Sequence, residues 1–421
     1  MKTKAIRLHG ERDLRLDDVE LPPIKDDEIL AEIVSDSICM SSYKAATQGA
    51  NHKRIPNNVD QNPIMVGHEF CGRILEVGST WSDQFTAGQK FSIQPALNDP
   101  AGPVGILSAP GYSYPHIGGD AQHVIIPAEV MQNNCLLPFE GDAYYLGSLA
   151  EPLSCVIGAF RANYHTTPGS YQHQMGIVEG GSLAILGGVG PMGLGAIDYI
   201  IHCDRRPRHL VITGRNQQKL DRAAALYPPA EAAKQGIELH YINSNDTSTE
   251  QIKTLSADGK GFDDLFVYAP TQQLVEQADQ LLGFDGCLNF FAGPSDPNFS
   301  VPFNFFNVHY AATHVVGTSG GNTDDMIESL QLMADGKVDP SGLVTHIGGL
   351  NAVINTTLQL PDIPGGKKLI YTHLNLPLIA LDQLDQQPEA YFAELAKIVK
   401  ANNGLWSPAA ETILLANAPK L

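Results

Sequence analysis

The stretch SLAILGGVGPMGL, residues 182–194, decides the fold of this 421-residue chain. Its apolar first half predicts a buried parallel strand, and a G-x-G-x-x-G pattern follows directly. In that pattern the first glycine permits a tight turn, the second lets the backbone approach a pyrophosphate, and the third lets the next helix pack closely. A second apolar run at 209–213 arrives where a βαβ unit needs it, which favours dinucleotide binding over a structural turn. The candidate cofactor contacts in the turn, at the N-terminus of the following helix, are Gly188, Gly190, Pro191, Met192 and Gly193.

The residues after the second run indicate which dinucleotide is bound. An NAD site usually carries Asp or Glu there, to accept hydrogen bonds from the ribose hydroxyls. This chain has Gly214 and then Arg215, with Lys219 one helical turn further on. Glycine leaves room for a 2′-phosphate, and arginine can bind it through charge-assisted hydrogen bonds. The sequence therefore favours NADP(H) over NAD(H), although a solvated arginine at a strand end is the plain alternative.

Composition limits the class of protein. The chain is 43% hydrophobic and 17% charged, which is typical of a globular protein, and 421 residues favour two domains. A formal charge of −19 argues against a general nucleic-acid or anionic-membrane surface. No apolar stretch is long enough to span a bilayer, and the N-terminus has no apolar signal core. The six cysteines form no C-x-x-C pair, so we expect a reducing, cytoplasmic location.

The pattern of apolar runs divides the chain into three segments. Residues 1–155 read as mainly β, residues 156–318 alternate strands and helices, and residues 319–421 return to the first domain and add a C-terminal tail. The sequence thus predicts an α/β protein with a doubly wound parallel sheet and a second, mainly β domain. The predicted strands of the alternating segment are 183–187, 209–213, 262–268 and 286–292, and its predicted helices are 191–202, 216–226 and 271–282.

Metal-ligating residue types occur near strand ends in the first segment. Cys39 follows an apolar run, His68 and Glu69 precede another, and Glu151 lies at the junction of the two domains. A thiolate, an imidazole and a carboxylate on separate loops can converge on zinc. On residue types alone the structural interpretation is stronger, because a lone cysteine is usually core and lone His and Glu residues are usually surface groups.

Taken together, these segments are similar to a known family. The order of motifs resembles the zinc-type medium-chain dehydrogenase/reductase family over about residues 1 to 371. The motifs that carry the resemblance are Cys39-Met40-Ser41-Ser42, Gly67-His68-Glu69-Phe70-Cys71-Gly72, Glu76-Val77-Gly78, Gly118-Gly119-Asp120, Glu151-Pro152-Leu153 and the glycine pattern 188–193.

The resemblance implies a fold and a set of roles. It implies a GroES-like catalytic domain beside a Rossmann domain, one catalytic zinc, and assembly into a homodimer or homotetramer. Cys39 and His68, with either Glu69 or Glu151, would be zinc ligands. Ser41 occupies the place of the hydroxyl that relays a proton to or from the substrate oxygen, and Lys44 stands where many relatives carry a histidine further along that relay. The candidate catalytic residues are thus Ser41, Lys44 and Glu69.

Two departures from the family pattern bear on the metal. Met40 replaces the usual glycine, and Ser42 replaces an aspartate that is common beside the zinc, so the groups supporting the ligands should differ. The lobe of four closely spaced cysteines that binds a structural zinc is absent, since residues 72–134 contain no cysteine. We therefore expect one catalytic zinc and no structural zinc.

Within the family the likeness points to NAD(P)H-linked reduction of a ketose phosphate, L-sorbose 1-phosphate, to glucitol 6-phosphate. A phosphorylated substrate needs cations, and Lys53 and Arg54, in the loop between Cys39 and His68, are the candidates; a solvated basic loop is the alternative. The alternative functions are an unphosphorylated polyol or secondary-alcohol dehydrogenase, a zinc-free quinone-type reductase and a non-catalytic dinucleotide-binding protein.

Overall fold

The computed structural model describes residues 1–294 and 296–421. In it the glycine-rich stretch connects one strand of a six-stranded parallel sheet to the helix that follows that strand. The strands of these residues are β1 (Lys2–Gly10), β2 (Asp13–Glu20), β3 (Ile29–Ile38), β4 (Ile64–Met65), β5 (Phe70–Val77), β6 (Lys90–Ile93), β7 (Pro103–Ile106), β8 (His123–Ile126), β9 (Leu136–Pro138), β10 (Tyr164–Thr166), β11 (His173–Met175), β12 (Ser182–Leu186), β13 (His209–Gly214), β14 (Glu238–Asn243), β15 (Phe262–Val267), β16 (Leu282–Phe290), β17 (His314–Val316), β18 (Val344–Gly349), β19 (Lys367–Tyr371) and β20 (Ile379–Ala380).

The α-helices of the same residues alternate with these strands in the middle of the chain and cluster at its C-terminal end. They are α1 (Met40–Gln48), α2 (Ala128–Gln132), α3 (Tyr144–Ser148), α4 (Ala150–Ala162), α5 (Pro191–His202), α6 (Gln217–Leu226), α7 (Pro229–Lys234), α8 (Thr249–Lys253), α9 (Gln272–Leu281), α10 (Phe305–Tyr310), α11 (Thr323–Ala334), α12 (Val353–Leu358), α13 (Ala390–Ala401) and α14 (Pro408–Asn417). None of the helices in the described residues is both long enough and apolar enough to cross a membrane.

The chain forms two compact units. Unit 1 combines three separate segments, Met1–Glu151, Asn322–Gly336 and Pro340–Leu421. Unit 2 consists of Pro152–Gly321 and the short segment Lys337–Asp339.

Unit 2 has the strand order of a doubly wound dinucleotide-binding fold. Its sheet runs β14-β13-β12-β15-β16-β17, and every neighbouring pair is parallel. The predicted α/β class is confirmed: helix α5 has the predicted bounds, and the predicted strands form with ends shifted by a few residues. Continuous apolar runs such as SLAIL in β12 fit a sheet that is buried on both faces, and all five of these residues are buried.

Unit 1 is built around the long strand β3. Its sheet has the order β20-β18-β19-β3-β5-β6-β9, and β8 also pairs with β3. One edge of β3 therefore pairs with β5, and the other pairs with β19 over residues 35–38 and with β8 over residues 29–32. A central strand with this many partners is well suited to position side chains, because its backbone is fixed on both sides.

The C-terminal tail, which carries no motif that indicates a role, is part of unit 1. Trp406 is 0% exposed and donates its indole N–H to the Tyr371 hydroxyl oxygen at 2.8 Å. Glu411 of α14 accepts hydrogen bonds from the backbone N–H groups of Tyr144 and Tyr145, at 2.6 and 2.9 Å. These donors lie at the start of α3, where an unsatisfied N–H would otherwise be buried. The tail therefore holds α3 and β19 in place.

Candidate metal centre and cofactor-binding turn

Three of the predicted metal ligands come together in unit 1. Cys39 follows β3, and His68 and Glu69 directly precede β5. Because β3 and β5 are antiparallel, with Asp36 opposite Phe70, the chain leaving one strand meets the chain entering the other. One ligand atom from each of Cys39, His68 and Glu69 lies within 4.8 Å of the other two. A sulfur, an imidazole nitrogen and a carboxylate oxygen at this spacing fit a zinc ion, with small side-chain adjustments.

Hydroxyl groups surround His68. Ser41 Oγ and Tyr112 Oη each lie 3.2 Å from Nε2, and Ser42 Oγ lies 3.3 Å from Nδ1. Burial lowers the pKa of His68, which favours the neutral imidazole that a metal requires. Ser42, which departs from the family pattern, thus contacts the ring from the side opposite Ser41. The sequence did not single out Tyr112, which lies in an irregular loop without a recognisable motif.

Glu69 has a cationic partner that the sequence analysis missed. Lys367, the first residue of β19, donates through Nζ to both carboxylate oxygens, with 2.6 Å to Oε2. The Ser37 hydroxyl donates to the same carboxylate. Burial acts to lower the pKa of Lys367, but the nearby Cys39, Glu69 and Glu151 outweigh burial and raise it. Lys367 therefore stays charged and compensates the buried carboxylate.

A pair of carboxyl groups, Asp36 and Asp120, lies next to Glu69. Asp36 accepts a hydrogen bond from the Glu69 backbone N–H at 3.1 Å through Oδ1. Burial raises the pKa of Asp36, helped by the charge of Asp120, and burial raises the pKa of Asp120 to about 7. Both shifts favour a protonated carboxyl group in this pair near neutral pH, which would limit the negative charge next to the metal ligands.

Glu151 lies in the first turn of α4, close enough to act electrostatically on the cluster. Burial raises its pKa to about 7, and the charge of Glu69 adds to the shift. The group of mutually close ligand atoms found among the described residues contains Glu69 and not Glu151. In this arrangement Glu69 is the better placed of the two candidate carboxylates.

The basic loop brings one arginine next to this cluster. The guanidinium carbon of Arg54 lies 5.8 Å from the Tyr112 ring centroid, and Nη1 donates to the Leu107 carbonyl oxygen at 2.9 Å. The His52 ring stacks on the Tyr112 ring, with 5.9 Å between the two ring centroids. Burial lowers the pKa of His52 to about 4. The positive charges of Arg54, Lys53 and Lys44 add to this lowering. Lys53 is exposed, whereas Arg54 and Lys44 are half-buried.

In unit 2 the glycine turn has the geometry that the sequence predicts. Helix α5 begins at Pro191 after Gly190, and residues Pro191 and Met192 form its first turn. A Cβ on Gly193 would lie 2.1 Å from the Gly188 carbonyl oxygen, so only glycine allows this approach. A Cβ on Gly190 would meet nothing within 4 Å, so space is open beside the helix N-terminus. These features suit a pyrophosphate bound to backbone N–H groups.

The end of β13 lies against this turn. A Cβ on Gly214 would come within 2.6 Å of Val189 Cγ2, so a larger residue would push into the glycine loop. Arg215 and Lys219 are both exposed, Lys219 in the first turn of α6. The Asn216 side chain caps that helix by accepting from the Lys219 backbone N–H. Both cationic side chains are thus free to reach a bound anion.

The chain matches two family models. The alcohol dehydrogenase GroES-like domain matches residues 25–135, and the zinc-binding dehydrogenase model matches residues 191–335. The first match lies in unit 1 and contains Cys39, His68 and Glu69.

Curated relatives match over nearly the whole chain. The chain is 52% identical to L-sorbose 1-phosphate reductase of Klebsiella pneumoniae, over 99% of this chain and 98% of the relative. It is 50% identical to mannitol-1-phosphate 5-dehydrogenase of Aliivibrio fischeri, over 98% of this chain and 97% of the relative. Among solved structures, 2R,3R-butanediol dehydrogenase from Bacillus subtilis shares the fold, with a TM-score of 0.67 and 20% identity over 88% of this chain and 99% of the other.

Proposed function

The chain belongs to the zinc-binding dehydrogenases with an alcohol dehydrogenase GroES-like domain, a family of oxidoreductases, and from this membership we propose that it reduces a ketose phosphate with NAD(P)H. L-sorbose 1-phosphate, giving glucitol 6-phosphate, is the first candidate substrate, because about half of the residues are shared with the reductase of that name. The observation that carries the proposal is the convergence of Cys39, His68 and Glu69.

The proposed metal site has three ligands, Cys39, His68 and Glu69. A zinc ion bound there would polarise a substrate carbonyl as a Lewis acid, and NAD(P)H would supply the hydride. Lys367 donates to both oxygens of the Glu69 carboxylate and orients it, and Ser42 contacts Nδ1 of the His68 ring and orients the imidazole. Glu151 remains the alternative carboxylate ligand.

Ser41 is the proposed proton donor. Its hydroxyl lies 3.2 Å from His68 Nε2, next to the proposed metal ligands. As the carbonyl carbon accepts a hydride, the oxygen needs a proton, and Ser41 can donate it. Lys44 lies three residues later on α1, hence on the same helix face, and can return a proton to Ser41. The reaction then balances as ketone, hydride and proton giving one alcohol.

We propose Arg54 as a ligand of the substrate phosphate. Replacing Arg54 with alanine should raise the KM for L-sorbose 1-phosphate about 10- to 100-fold, because a hydrogen bond to a charged group contributes about 1.5–3 kcal/mol. Lys53→Ala is the matched control, since Lys53 is its exposed neighbour and should have a small effect. Initial rates with the sugar phosphate measure the change, and an unchanged KM in both variants would exclude the loop as a phosphate site.

We propose NADP(H) as the preferred cofactor. Arg215→Ala should raise the KM for NADPH about tenfold or more and leave the KM for NADH nearly unchanged, because only NADPH carries the 2′-phosphate. Lys219→Ala should show a smaller effect in the same direction. The two KM values measured side by side decide the matter; a native enzyme that already prefers NADH would contradict the assignment.

We also propose a homodimer or homotetramer. In unit 2 the edge strand β17 exposes Val315, and the preceding α10 exposes Phe305, Phe306 and Tyr310. An exposed edge with apolar neighbours favours pairing with another chain.

The experiment that tests the function is the initial rate of NADPH oxidation with L-sorbose 1-phosphate and with L-sorbose, each with and without a zinc chelator. We expect turnover with the phosphate alone, lost on chelation. Mannitol 1-phosphate with NAD(P)⁺ tests the activity named for the second relative. Turnover with the free sugar alone would keep the zinc mechanism and make the protein a polyol dehydrogenase. Inactivity of the zinc-loaded protein on all substrates would favour a non-catalytic role.

A further inference from the structure

A second group of metal-ligating side chains lies elsewhere in unit 1. Glu32 of β3 lies directly opposite His123 of β8 in the antiparallel register. His373 follows β19, which pairs with the same edge of β3 further along. The Thr372 backbone N–H bonds to the Val34 carbonyl oxygen, and this places His373 beside the point where β8 takes over from β19. The three side chains share no residue with the Cys39 cluster.

The distances within this group suit a small cation. One oxygen of Glu32 and one ring nitrogen of each histidine all lie within 4.8 Å of one another. His373 Nε2 is 3.2 Å from Glu32 Oε1, and the two imidazole rings are 5.4 Å apart at 82°. Ligand atoms on one zinc ion lie about 2.0–2.2 Å from the metal, so a small side-chain rotation would bring all three into contact with it.

Two ring nitrogens in this group lack a hydrogen bond. His123 Nδ1 is buried and has no hydrogen-bond partner among the described residues, and His373 Nε2 faces Glu32 Oε1 at 3.2 Å without hydrogen-bond geometry. Buried polar atoms are nearly always paired, so each such atom needs an explanation. One nitrogen of each imidazole and one carboxylate oxygen lie within 4.8 Å of one another, and a cation that accepts an electron pair from each would satisfy all three together.

The surroundings support neutral imidazoles. Burial lowers the pKa of both His123 and His373. Arg73 Nε donates to Glu32 Oε2, which leaves Oε1 directed at the histidines and orients the carboxylate. The charges of Arg73 and Lys420 act against a further cation, so the affinity should be lower than that of a closed zinc site.

We propose that Glu32, His123 and His373 form a second, exchangeable binding site for a divalent transition metal, with zinc as the best match to its ligands. Imidazole and carboxylate ligands suit zinc, and three protein ligands leave a position open for water. The site differs in kind from the four-cysteine lobe that this sequence lacks. Metal binding there would tie β3, β8 and the segment after β19 together. The proposal does not rest on the proposed reaction.

The test is a zinc titration of the full-length wild-type protein, monitored by calorimetry. The bound zinc is also quantified after equilibrium dialysis. We expect one tightly bound equivalent and a second, weaker one. His123→Gln, His373→Gln and Glu32→Gln should each lose the second equivalent and keep the first. His116→Gln is the matched control, because His116 is another half-buried histidine of unit 1 outside the group. Cys39→Ala should show the reverse pattern, losing the tight equivalent and keeping the weaker one.

Wild-type protein that binds a single equivalent, lost in Cys39→Ala and kept in the three substituted proteins, would overturn the proposal. The same holds if the second equivalent persists in the three substituted proteins, since it would then lie elsewhere. If a water molecule rather than a metal bridges the three side chains, the wild-type protein should bind a single equivalent of zinc, at the Cys39 cluster. Neither of these results depends on reductase activity, so failure of this site and failure of the proposed function are distinguishable.

Discussion

Replacing Cys39 with alanine is expected to remove the tightly bound zinc and to lower kcat/KM by more than about 1,000-fold. Cys39 supplies the only sulfur in the group it forms with His68 and Glu69. Without it, two protein ligands remain for an ion that usually takes three or four. Zinc content at low free zinc and the rate of NADPH oxidation measure both effects on the same preparation.

Cys135→Ala is the control for that substitution. Cys135 is a buried cysteine of unit 1, whereas Cys39 is half-buried, and the Sγ of Cys135 contacts the Asn133 carbonyl oxygen rather than the metal ligands. This variant should keep both the zinc and the activity. A Cys39→Ala protein that turns over at the wild-type rate without metal would rule out the zinc mechanism.

Replacing Trp406 with alanine should destabilise unit 1 by about 3–5 kcal/mol, the usual cost of deleting a buried tryptophan side chain. Trp406 is 0% exposed, and its loss also leaves the Tyr371 hydroxyl without the indole donor at 2.8 Å. Urea denaturation followed by circular dichroism gives the change in the free energy of unfolding. Because β19 carries both Tyr371 and Lys367, activity should fall before the protein unfolds.

Trp81→Ala provides the comparison, since the chain has two tryptophans and Trp81 is only partly buried. Its indole N–H bonds to the Asp27 carbonyl oxygen at 2.8 Å, so the two sites lose similar hydrogen bonds and different amounts of packing. Each variant keeps one tryptophan as a fluorescent reporter. If both substitutions cost the same, the tail would not have the packing role described for it.

The parts of the fold that the sequence predicted are those with strong periodic signals. Helix α5 follows a glycine turn and begins with proline, and its predicted bounds match those observed. The edge strand β14 was missed because its sequence ELHYIN mixes polar and apolar residues and is only partly buried. Edge strands lose the continuous apolar run that identifies the central strands of a parallel sheet.

The candidate site was predictable only where local motifs exist. Cys39, His68 and Glu69 stand in recognisable segments, and the antiparallel pairing of β3 with β5 brings them together. Lys367 lies 298 residues from Glu69 in sequence, and lysine is normally a surface residue, so nothing local indicated a buried partner. The orientation of Ser42 and Tyr112 toward His68 depends on the tertiary fold in the same way.

The interrupted path of the chain through unit 1 has a consequence for its biosynthesis. Strand β3 gains β19 as a neighbour only after residues 367–371 have been made, whereas unit 2 has all of its sheet strands by residue 316. We therefore expect unit 2 to fold first on the ribosome, while residues 35–38 of β3 stay unpaired on one edge until β19, more than 300 residues further along the chain, has been made. Such long-range pairing is slow and leaves a strand edge open to association, so we expect this protein to depend most on chaperones until β19 has been synthesised and has paired with β3.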